Sequence, residues 1–236
     1  YDRWRNDNLT NRYQGVQFGY TSAGRYTSWN DIWSYPGYKE RDILPGDYKY
    51  EDWNGDGEIN GQDEHPFAFD QTPWLQFSLN AGLQWKNLDF NMLLQGSALG
   101  SMEYKEPLHE IWGKNGGGAL KQFLDRWHPV DPKADPYDPS TVWTSGHYAY
   151  TGRWAKNNSA FNRVSTAYLR LKSIELGYTF PKLKQIPNAS LRIYANAYNL
   201  LTFTGVKFVD PEHPDDDLGR MYPLNKTYTL GVSLSF

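Results

Sequence analysis

The residues best suited to chemistry lie in one short stretch, residues 52–63, which reads DWNGDGEINGQD. Five residues match the oxygen-donor positions of a calcium-loop pattern: Asp52, Asn54, Asp56, Glu58 through its backbone carbonyl, and Asp63. Oxygen atoms two residues apart can converge on one hard cation, and Gly57 permits the sharp turn that this requires. The spacing therefore predicts a cation site whose role is structural.

Two departures from the usual pattern shape this prediction. The closing position holds Asp63, which is shorter than the usual Glu and leaves more room for water. The flanking residues do not favour helices, so the loop is expected without the usual helix pair. We therefore predict Ca²⁺ of modest affinity, with Mg²⁺ as an alternative. The competing interpretation is a turn rich in Asp and Asn that binds no metal.

Catalytic chemistry is not indicated anywhere in the chain. None of the five histidines stands in a metal-binding spacing such as HExxH, and no Gly-x-Ser-x-Gly elbow occurs. The absence of cysteine excludes thiolate chemistry, and the acidic run at residues 215–217 is typical of a solvated loop. A net charge of −3 gives no reason to expect a nucleic-acid partner. We predict a protein that is not an enzyme and has no catalytic residues.

Strands in which apolar and polar side chains alternate are the elements that must position any site. Residues 75–85 and 88–98 alternate between apolar and polar or small side chains and are joined by a two-residue turn, which predicts a hairpin. A second hairpin is predicted at residues 168–203, with its turn at residues 181–188, and the last strand is predicted at residues 226–236. A short amphipathic helix is predicted near residues 120–127, and the prolines that follow it predict irregular structure.

The lengths of the connections favour a membrane barrel. Strands of about a dozen residues, joined alternately by short turns and long loops, are typical of outer-membrane β-barrels. One face of each strand is apolar and the other is small and polar, and four outward aromatic residues fall at the same predicted end: Trp85, Tyr178, Phe180 and Phe236. The alternative is a soluble, calcium-stabilised carbohydrate-binding β-sandwich, in which exposed tryptophans serve as stacking platforms. Loop tryptophans such as Trp112, Trp143 and Trp154 are expected to pack inside the long loops, and contact with a substrate or a covering partner is the other interpretation.

Five strands leave two open edges, which cannot lie in hydrocarbon because their backbone groups would be unpaired. We therefore predict an all-β fold that is incomplete by itself: the C-terminal strands and extracellular loops of a large antiparallel transmembrane barrel. The other strands are expected upstream, since the sequence begins at Tyr1 without an initiator methionine or signal peptide.

Several motifs, in order, resemble the C-terminal part of SusC/RagA-type TonB-dependent outer-membrane transporters. They are GDYKYEDWNGDGEINGQD at residues 46–63, YLRLKSIELGYTFP at 168–181, LRIYANAYNLLTFTG at 191–205, DPE at 210–212 and YPLNKTYTLGVSLSF at 222–236. The predicted division is an extracellular loop region at 1–73, a hairpin at 74–99, a long extracellular loop at 100–167, a hairpin at 168–203, an extracellular loop at 204–225 and a closing strand at 226–236.

The resemblance implies a 22-stranded barrel with an N-terminal plug, located in the bacterial outer membrane and in contact with its lipid. It implies import of oligosaccharides or oligopeptides, energised by TonB through segments upstream of this sequence. It also implies a SusD-like surface lipoprotein as partner. The motifs do not distinguish a glycan substrate from a peptide.

Overall fold

The computed structural model describes residues 15–36, 43–105, 108–109, 120–150, 155, 158–181, 189–213 and 219–236. The chain divides into two compact units. The loop unit comprises Tyr1–Asp70, Ser101–Val164 and Asp217–Gly219, and the sheet unit comprises Gln71–Gly100, Ser165–Asp216 and Arg220–Phe236.

The regular elements of the described residues are almost all β-strands. In chain order the elements are β1 (Gln17–Gly19), β2 (Ser22–Arg25), α1 (Trp29–Ser34), β3 (Tyr48–Tyr50), β4 (His65–Ala68), β5 (Leu75–Trp85), β6 (Leu88–Ala98), β7 (Ser101–Glu103), β8 (His128–Pro129), β9 (Trp143–Thr144), β10 (Arg163–Ser165), β11 (Tyr168–Phe180), β12 (Ser190–Thr204) and β13 (Thr227–Ser235). Short 3₁₀ turns occur at Gly61–Asp63 and Lys121–Leu124. Within the described ranges, no helix is long and apolar enough to cross a membrane.

The sheet unit is built on one five-stranded antiparallel sheet with the order β5-β6-β11-β12-β13. Its strands contain 11, 11, 13, 15 and 9 residues. Strands β5 and β13 are the two open edges of this sheet. This architecture confirms the predicted fold class, an antiparallel all-β sheet that does not close into a barrel within the described residues.

Side chains of the apolar face, here called the outer face, form rows across the sheet. One row runs from Trp85 through Leu88, Tyr178 and Ile193 to Val232, each directly opposite the next. Phe180 lies two residues further along β11, where its ring is 4.7 Å from that of Tyr178. Except for the half-buried Leu88, these large side chains are exposed rather than packed in a core. This disfavours the β-sandwich alternative, because a sandwich buries this face between two sheets.

The regular alternation is interrupted once, where β11 and β12 change register between Leu171 and Ser173. Asn199 adopts a left-handed backbone conformation, with φ of 53°, and its side-chain amide donates to the carbonyl of Asn225 at 3.0 Å. A bulge of this kind adds one residue to a strand and keeps apolar side chains on one face on both sides of it. Leu169 and Leu201 thus join the outer face.

The loop unit has a small aromatic core instead of a large sheet. Tyr20, Tyr48, Tyr50 and Ile59 are buried together, and Phe161 packs against them. Helix α1 begins after Ser28, whose hydroxyl accepts a hydrogen bond from the Asp31 amide at 3.2 Å. Burial also raises the pKa of the Tyr26 hydroxyl to about 12.

Two local predictions in the loop unit are wrong. The amphipathic helix expected near residues 120–127 is a single 3₁₀ turn at Lys121–Leu124, because Phe123 alone of that turn is buried and one apolar contact does not hold a longer helix. The proline-rich stretch after it was expected to be irregular throughout. Instead, His128–Pro129 pairs with Trp143–Thr144 as a two-residue ladder, and Val130 continues the contact by donating its amide to the carbonyl of Val142 at 2.9 Å.

Candidate functional site

The polar face of the sheet, here called the inner face, carries a network of charged side chains. Arg192 donates from Nε to Asp89 Oδ1 at 3.1 Å and from Nη2 to Glu175 Oε1 at 2.7 Å, and it also contacts Asp89 Oδ2. Asn196 donates its side-chain amide to Glu175 Oε2 at 3.4 Å. One guanidinium thus joins carboxylates from two other strands, so the network ties β6, β11 and β12 together in addition to the backbone ladder.

Gly177 makes room for this network. It lies directly opposite Asp89 on β6, and a Cβ atom at this position would fall 2.5 Å from both Arg192 Nη2 and Asp89 Oδ2. Gly231 likewise leaves room for the ring of Tyr194, its cross-strand neighbour, since a Cβ atom there would fall 2.2 Å from Tyr194 Cζ. The small residues that alternate with apolar ones in the sequence are therefore positions over which larger polar side chains lie flat on the inner face.

A second charged cluster holds the loop after β12 against the sheet. Arg170 is almost fully buried, and its Nη2 donates to both carboxylate oxygens of Asp210 at 2.7 and 2.9 Å. Glu212 receives an ion pair from Arg170 Nη1 at 3.2 Å and hydrogen bonds from Lys172 Nζ at 3.0 and 3.2 Å. Two acidic residues of the DPE motif therefore bind two basic residues of β11.

This cluster forms one side of a polar cavity of about 800 Å³ within the sheet unit. Amide and hydroxyl side chains of the inner face line it, among them Gln76, Ser78, Gln95 and Ser97, together with Tyr168 and Glu212. A cavity of this volume and lining can hold a polar ligand or water.

The residues of the predicted cation loop accept hydrogen bonds from backbone amides. Asp52 Oδ1 accepts from Gly55 at 2.8 Å and Oδ2 from Gly57 at 2.9 Å. Asp56 Oδ1 accepts from Glu58 at 2.8 Å, and Asn54 Oδ1 accepts from Asp56 at 2.9 Å. These are the local turns that short polar side chains form with their own backbone.

Asp63 is fully buried and serves as the anchor of the loop. Its Oδ1 accepts from the amides of Trp53 at 2.9 Å and Asn54 at 3.3 Å, and its Oδ2 accepts from Asn60 at 2.8 Å. Asn60 Oδ1 accepts from the amide of Gln62 at 2.8 Å, and Asn60 and Asp63 together form a capping box around the 3₁₀ turn. The shorter side chain at this position, noted in the sequence, fits the tight turn that it caps.

The structure brings the five predicted ligands into one loop. However, no group of three or more acidic, histidine or cysteine side chains in the described ranges is placed to hold a metal ion. The cation site therefore stays a prediction.

The charged clusters of the inner face were missed in the sequence. The signal was present in Glu175 and Arg192, charged residues on the small polar side of long strands, and in the DPE motif. Their pairing depends on the order of strands in the sheet, because Asp89 and Arg192 are 103 residues apart.

Comparison with known proteins points to one family. No family model matches the chain. TonB-dependent receptor P3 of Formosa agariphila is 28% identical over 211 residues, which are 83% of this chain and 19% of that relative. TonB-dependent receptor P26 of the same organism is 27% identical over 239 residues, covering 95% of this chain and 22% of the relative.

Solved structures agree on the fold. The RagAB peptide transporter matches with a TM-score of 0.60 and 21% identity, over 94% of this chain and 22% of that one. The RagAB peptide importer in its closed-closed state matches with a TM-score of 0.57 and 20% identity, over 94% of this chain and 23% of that one. These similarities support the resemblance to SusC/RagA-type TonB-dependent transporters that the sequence motifs indicate.

The chain spans about a fifth of the length of these relatives. TonB-dependent receptors are outer-membrane proteins, which confirms the predicted location. The exposed apolar rows of the outer face and the charged network of the inner face match the two faces of a membrane barrel, one of which meets lipid while the other lines the interior. The relatives are named as receptors and transporters, consistent with the prediction that the chain is not an enzyme.

Proposed function

We propose that the whole protein imports oligosaccharides or oligopeptides across the bacterial outer membrane by a TonB-dependent route, and that this segment forms one wall of the conduit. The observation that carries the proposal is the two-faced sheet. Its outer face is apolar and exposed, whereas its inner face carries a linked set of charges and a polar cavity of about 800 Å³. The similarity to receptors and transporters named for TonB and for peptide import supports it.

Import is tested by deleting the full-length gene in its native host and measuring uptake of labelled neutral oligosaccharides and oligopeptides. The proposal predicts that uptake of one class falls to background, returns on complementation, and is also lost when TonB is disrupted. Uptake of both classes that is unchanged by the deletion, under conditions that induce the gene, would refute it.

We also propose a SusD-like surface lipoprotein as partner, because the resemblance to SusC/RagA-type transporters implies one and the chain shares the fold of the RagAB peptide transporter. Extraction of the full-length protein in mild detergent is expected to yield a stable complex with one lipoprotein. Isolation of the transporter alone, under conditions that preserve other such pairs, would count against this partner.

We further propose that residues 52–63 bind Ca²⁺, or Mg²⁺, as a structural ion. Support comes from the matched donor spacing and from the positive φ of Gly55 and Gly57, 75° and 86°, which let the loop fold around a centre. Asp56→Ala is expected to leave the barrel assembled but to increase protease cleavage within this loop, and a chelator is expected to do the same to the wild type. Gln62→Ala, in the same loop, is the matched control. Cleavage that neither Asp56→Ala nor the chelator alters would contradict the site.

A further inference from the structure

The loop that follows β12 remains in contact with the sheet over its first residues. Its part at residues 205–213 is here called the strap, and it belongs to the sheet unit. Val206 is buried, and its amide donates to Thr204 Oγ1 at 3.1 Å. The hydroxyl of Thr204 donates to the carbonyl of Ala167, the residue before β11, at 3.0 Å. The start of the strap is therefore tied to the neighbouring strand.

A bulge in β11 places two basic side chains where they meet the strap. Lys172 is the extra residue of this bulge, because Leu171 and Ser173 pair with consecutive residues of β6. A bulge re-aims a side chain as well as bending the strand. Arg170 and Lys172 both contact Glu212, so the two cations lie on the same side of β11.

Ion pairs hold the far end of the strap on the inner face. Asp210 binds Arg170 through both carboxylate oxygens, and Glu212 lies within 3.2 Å of Arg170 Nη1. The amide of Glu212 donates to Asp210 Oδ1 at 2.9 Å, and the amide of His213 donates to the carbonyl of Asp210 at 3.0 Å. Because Arg170 is buried, lifting the strap would leave its charge unpaired in the interior, which is costly. These contacts fix the strap in one position.

The backbone of the strap is strained at one residue. Phe208 has a φ of 71°, a left-handed conformation that a bulky residue rarely adopts. Such a conformation persists only where the surrounding structure imposes it. The strain agrees with a segment whose path is set by its contacts with the sheet rather than by its own preferences.

The strap occupies space on the inner side of the sheet. Pro211 and Glu212 border the polar cavity of about 800 Å³, together with inner-face side chains such as Gln76 and Ser78. Packed sheets stand about 10 Å apart, which gives the scale of a second layer on a sheet face. A second layer on the inner wall of a barrel narrows the passage beside it.

We propose that the strap is a fixed constriction of the conduit, which limits the size of the solute that reaches the polar cavity. Arg170 and Lys172 are then positioning residues, since they act through the strap and not on the solute. This inference rests on the proposed import function for its biological role, and it adds a size limit to that function without naming a substrate. The alternative that the test separates is a gate that moves aside.

Access to the cavity is measured with a cysteine introduced at Ser78, which borders the cavity on β5. The present sequence contains no cysteine. Intact cells that carry the full-length Ser78→Cys protein are treated with maleimide-polyethylene glycols of increasing length, and the protein without the substitution gives the background. Short reagents are expected to label the introduced thiol, and long reagents are expected to be excluded.

The decisive variant adds Arg170→Met, which removes the cation that holds both carboxylates. Reagents that are excluded by Ser78→Cys alone are expected to react about tenfold faster, because loss of a buried ion pair frees the strap. Lys172→Met leaves Arg170 in place and should give an intermediate rate. Lys226→Met, at an exposed residue near the other end of the same connection, is the matched control. Heat-modifiable migration shows that each variant has assembled.

A covalent link distinguishes a fixed constriction from a moving gate. Lys172→Cys combined with Glu212→Cys replaces an ion pair of 3.0 Å with two thiols, which a short bifunctional thiosulfonate joins reversibly. With the link in place, TonB-dependent uptake is expected to equal that of the wild type. Uptake that is lost on linking and returns on reduction would overturn the fixed constriction in favour of a gate.

The labelling experiment does not depend on import, so the two proposals fail in different ways. Equal labelling by long reagents before and after Arg170→Met would overturn the constriction, and Lys172→Met decides the same point where Arg170→Met does not assemble. A size limit that these variants relax, in a protein without TonB-dependent uptake, would refute import and leave the constriction standing. Uptake without any size limit at the introduced thiol would refute the constriction and leave import standing.

Discussion

The two units of this chain differ in where their apolar residues lie: on the exposed surface of the sheet unit and in the interior of the loop unit. In the sheet unit, Leu83 and Leu230 are 64% and 76% exposed, while charged side chains pair on the inner face. In the loop unit, Tyr26 and Leu44 are 1% exposed, and acidic side chains lie at the surface or cap turns. The difference is what two different solvents produce, since burial from water drives the arrangement of the loop unit and contact with hydrocarbon favours that of the sheet unit.

The units also differ in how the hydrogen bonds of their backbone amides and carbonyls are made. The sheet pairs amides and carbonyls between strands, which is the arrangement required in hydrocarbon. The loop unit relies on short side chains, as where Asp63 accepts from three amides and Asp52 from those of Gly55, Asp56 and Gly57. Water can replace such bonds at a surface, so this arrangement suits a unit that is in contact with water.

The sharpest way to break this comparison is to place the same charge on each unit. Leu230→Arg puts a cation near the middle of β13 on the outer face. A lipid-facing arginine at the bilayer midplane is expected to destabilise a barrel by about 2–4 kcal/mol. We expect little heat-modifiable barrel in the outer membrane. Leu124→Arg, at a residue that is 78% exposed in the loop unit, is the matched control and should assemble normally. Equal levels of the two variants would contradict the assignment of the outer face.

The inner face is tested by removing its central cation. Arg192→Met leaves Asp89 and Glu175 without their shared donor and should lower the free energy of unfolding by about 1–3 kcal/mol, toward the low end because these side chains are 23–29% exposed. The midpoint of urea unfolding in liposomes measures the effect. Adding Glu175→Gln to Arg192→Met should restore part of it, and an unchanged midpoint in the single variant would show that the network does not stabilise the sheet.

The loop unit is tested at its buried carboxylate. Asp63→Ala removes acceptors from the amides of Trp53, Asn54 and Asn60, and loss of such a cap is expected to lower local stability by about 0.5–2 kcal/mol. Hydrogen exchange at these amides, measured in chelator so that no cation contributes, should become faster. The exposed Gln62→Ala is the control. Unchanged exchange in the Asp63 variant would mean that the turn holds without its cap.

The smallest effect on stability is expected when the pH is lowered until Asp31 becomes protonated. Burial tends to raise the pKa of Asp31, but hydrogen bonds from Lys49 at 2.7 Å and from Thr27 outweigh it and hold the pKa below its usual value. A depressed folded-state pKa stabilises the protein above the unfolded value of about 3.9 and loses this contribution as the pH falls through the folded pKa.

We therefore expect exchange of the Thr27 amide to accelerate only in that acidic window, by an amount equivalent to about 0.2–1 kcal/mol. Asp31→Asn should abolish the pH dependence. An equal acceleration in the Asn variant would assign the effect to another group.

Much of the sheet could be predicted from the sequence because its signals are local. The strict alternation at residues 75–85 and 88–98 specifies strands whose faces differ, and the two-residue turn specifies their pairing. The spacing of Asp52, Asn54 and Asp56 likewise specified a loop in which carboxylates fold back on their own backbone. In these stretches the contacts join residues of one hairpin or of one loop.

Only the tertiary structure decided which distant residues meet. Nothing in the alternation of β12 indicates that Arg192 lies between Asp89 and Glu175, since that depends on β6, β11 and β12 being adjacent and on the missing Cβ of Gly177. Trp29 and Trp143 are a similar case, because they border one cavity of the loop unit although the loops between α1 and β9 carry no periodic pattern. Sequence patterns encode contacts that repeat along one element, whereas sites are formed where elements cross, and those crossings are set by packing of the whole unit.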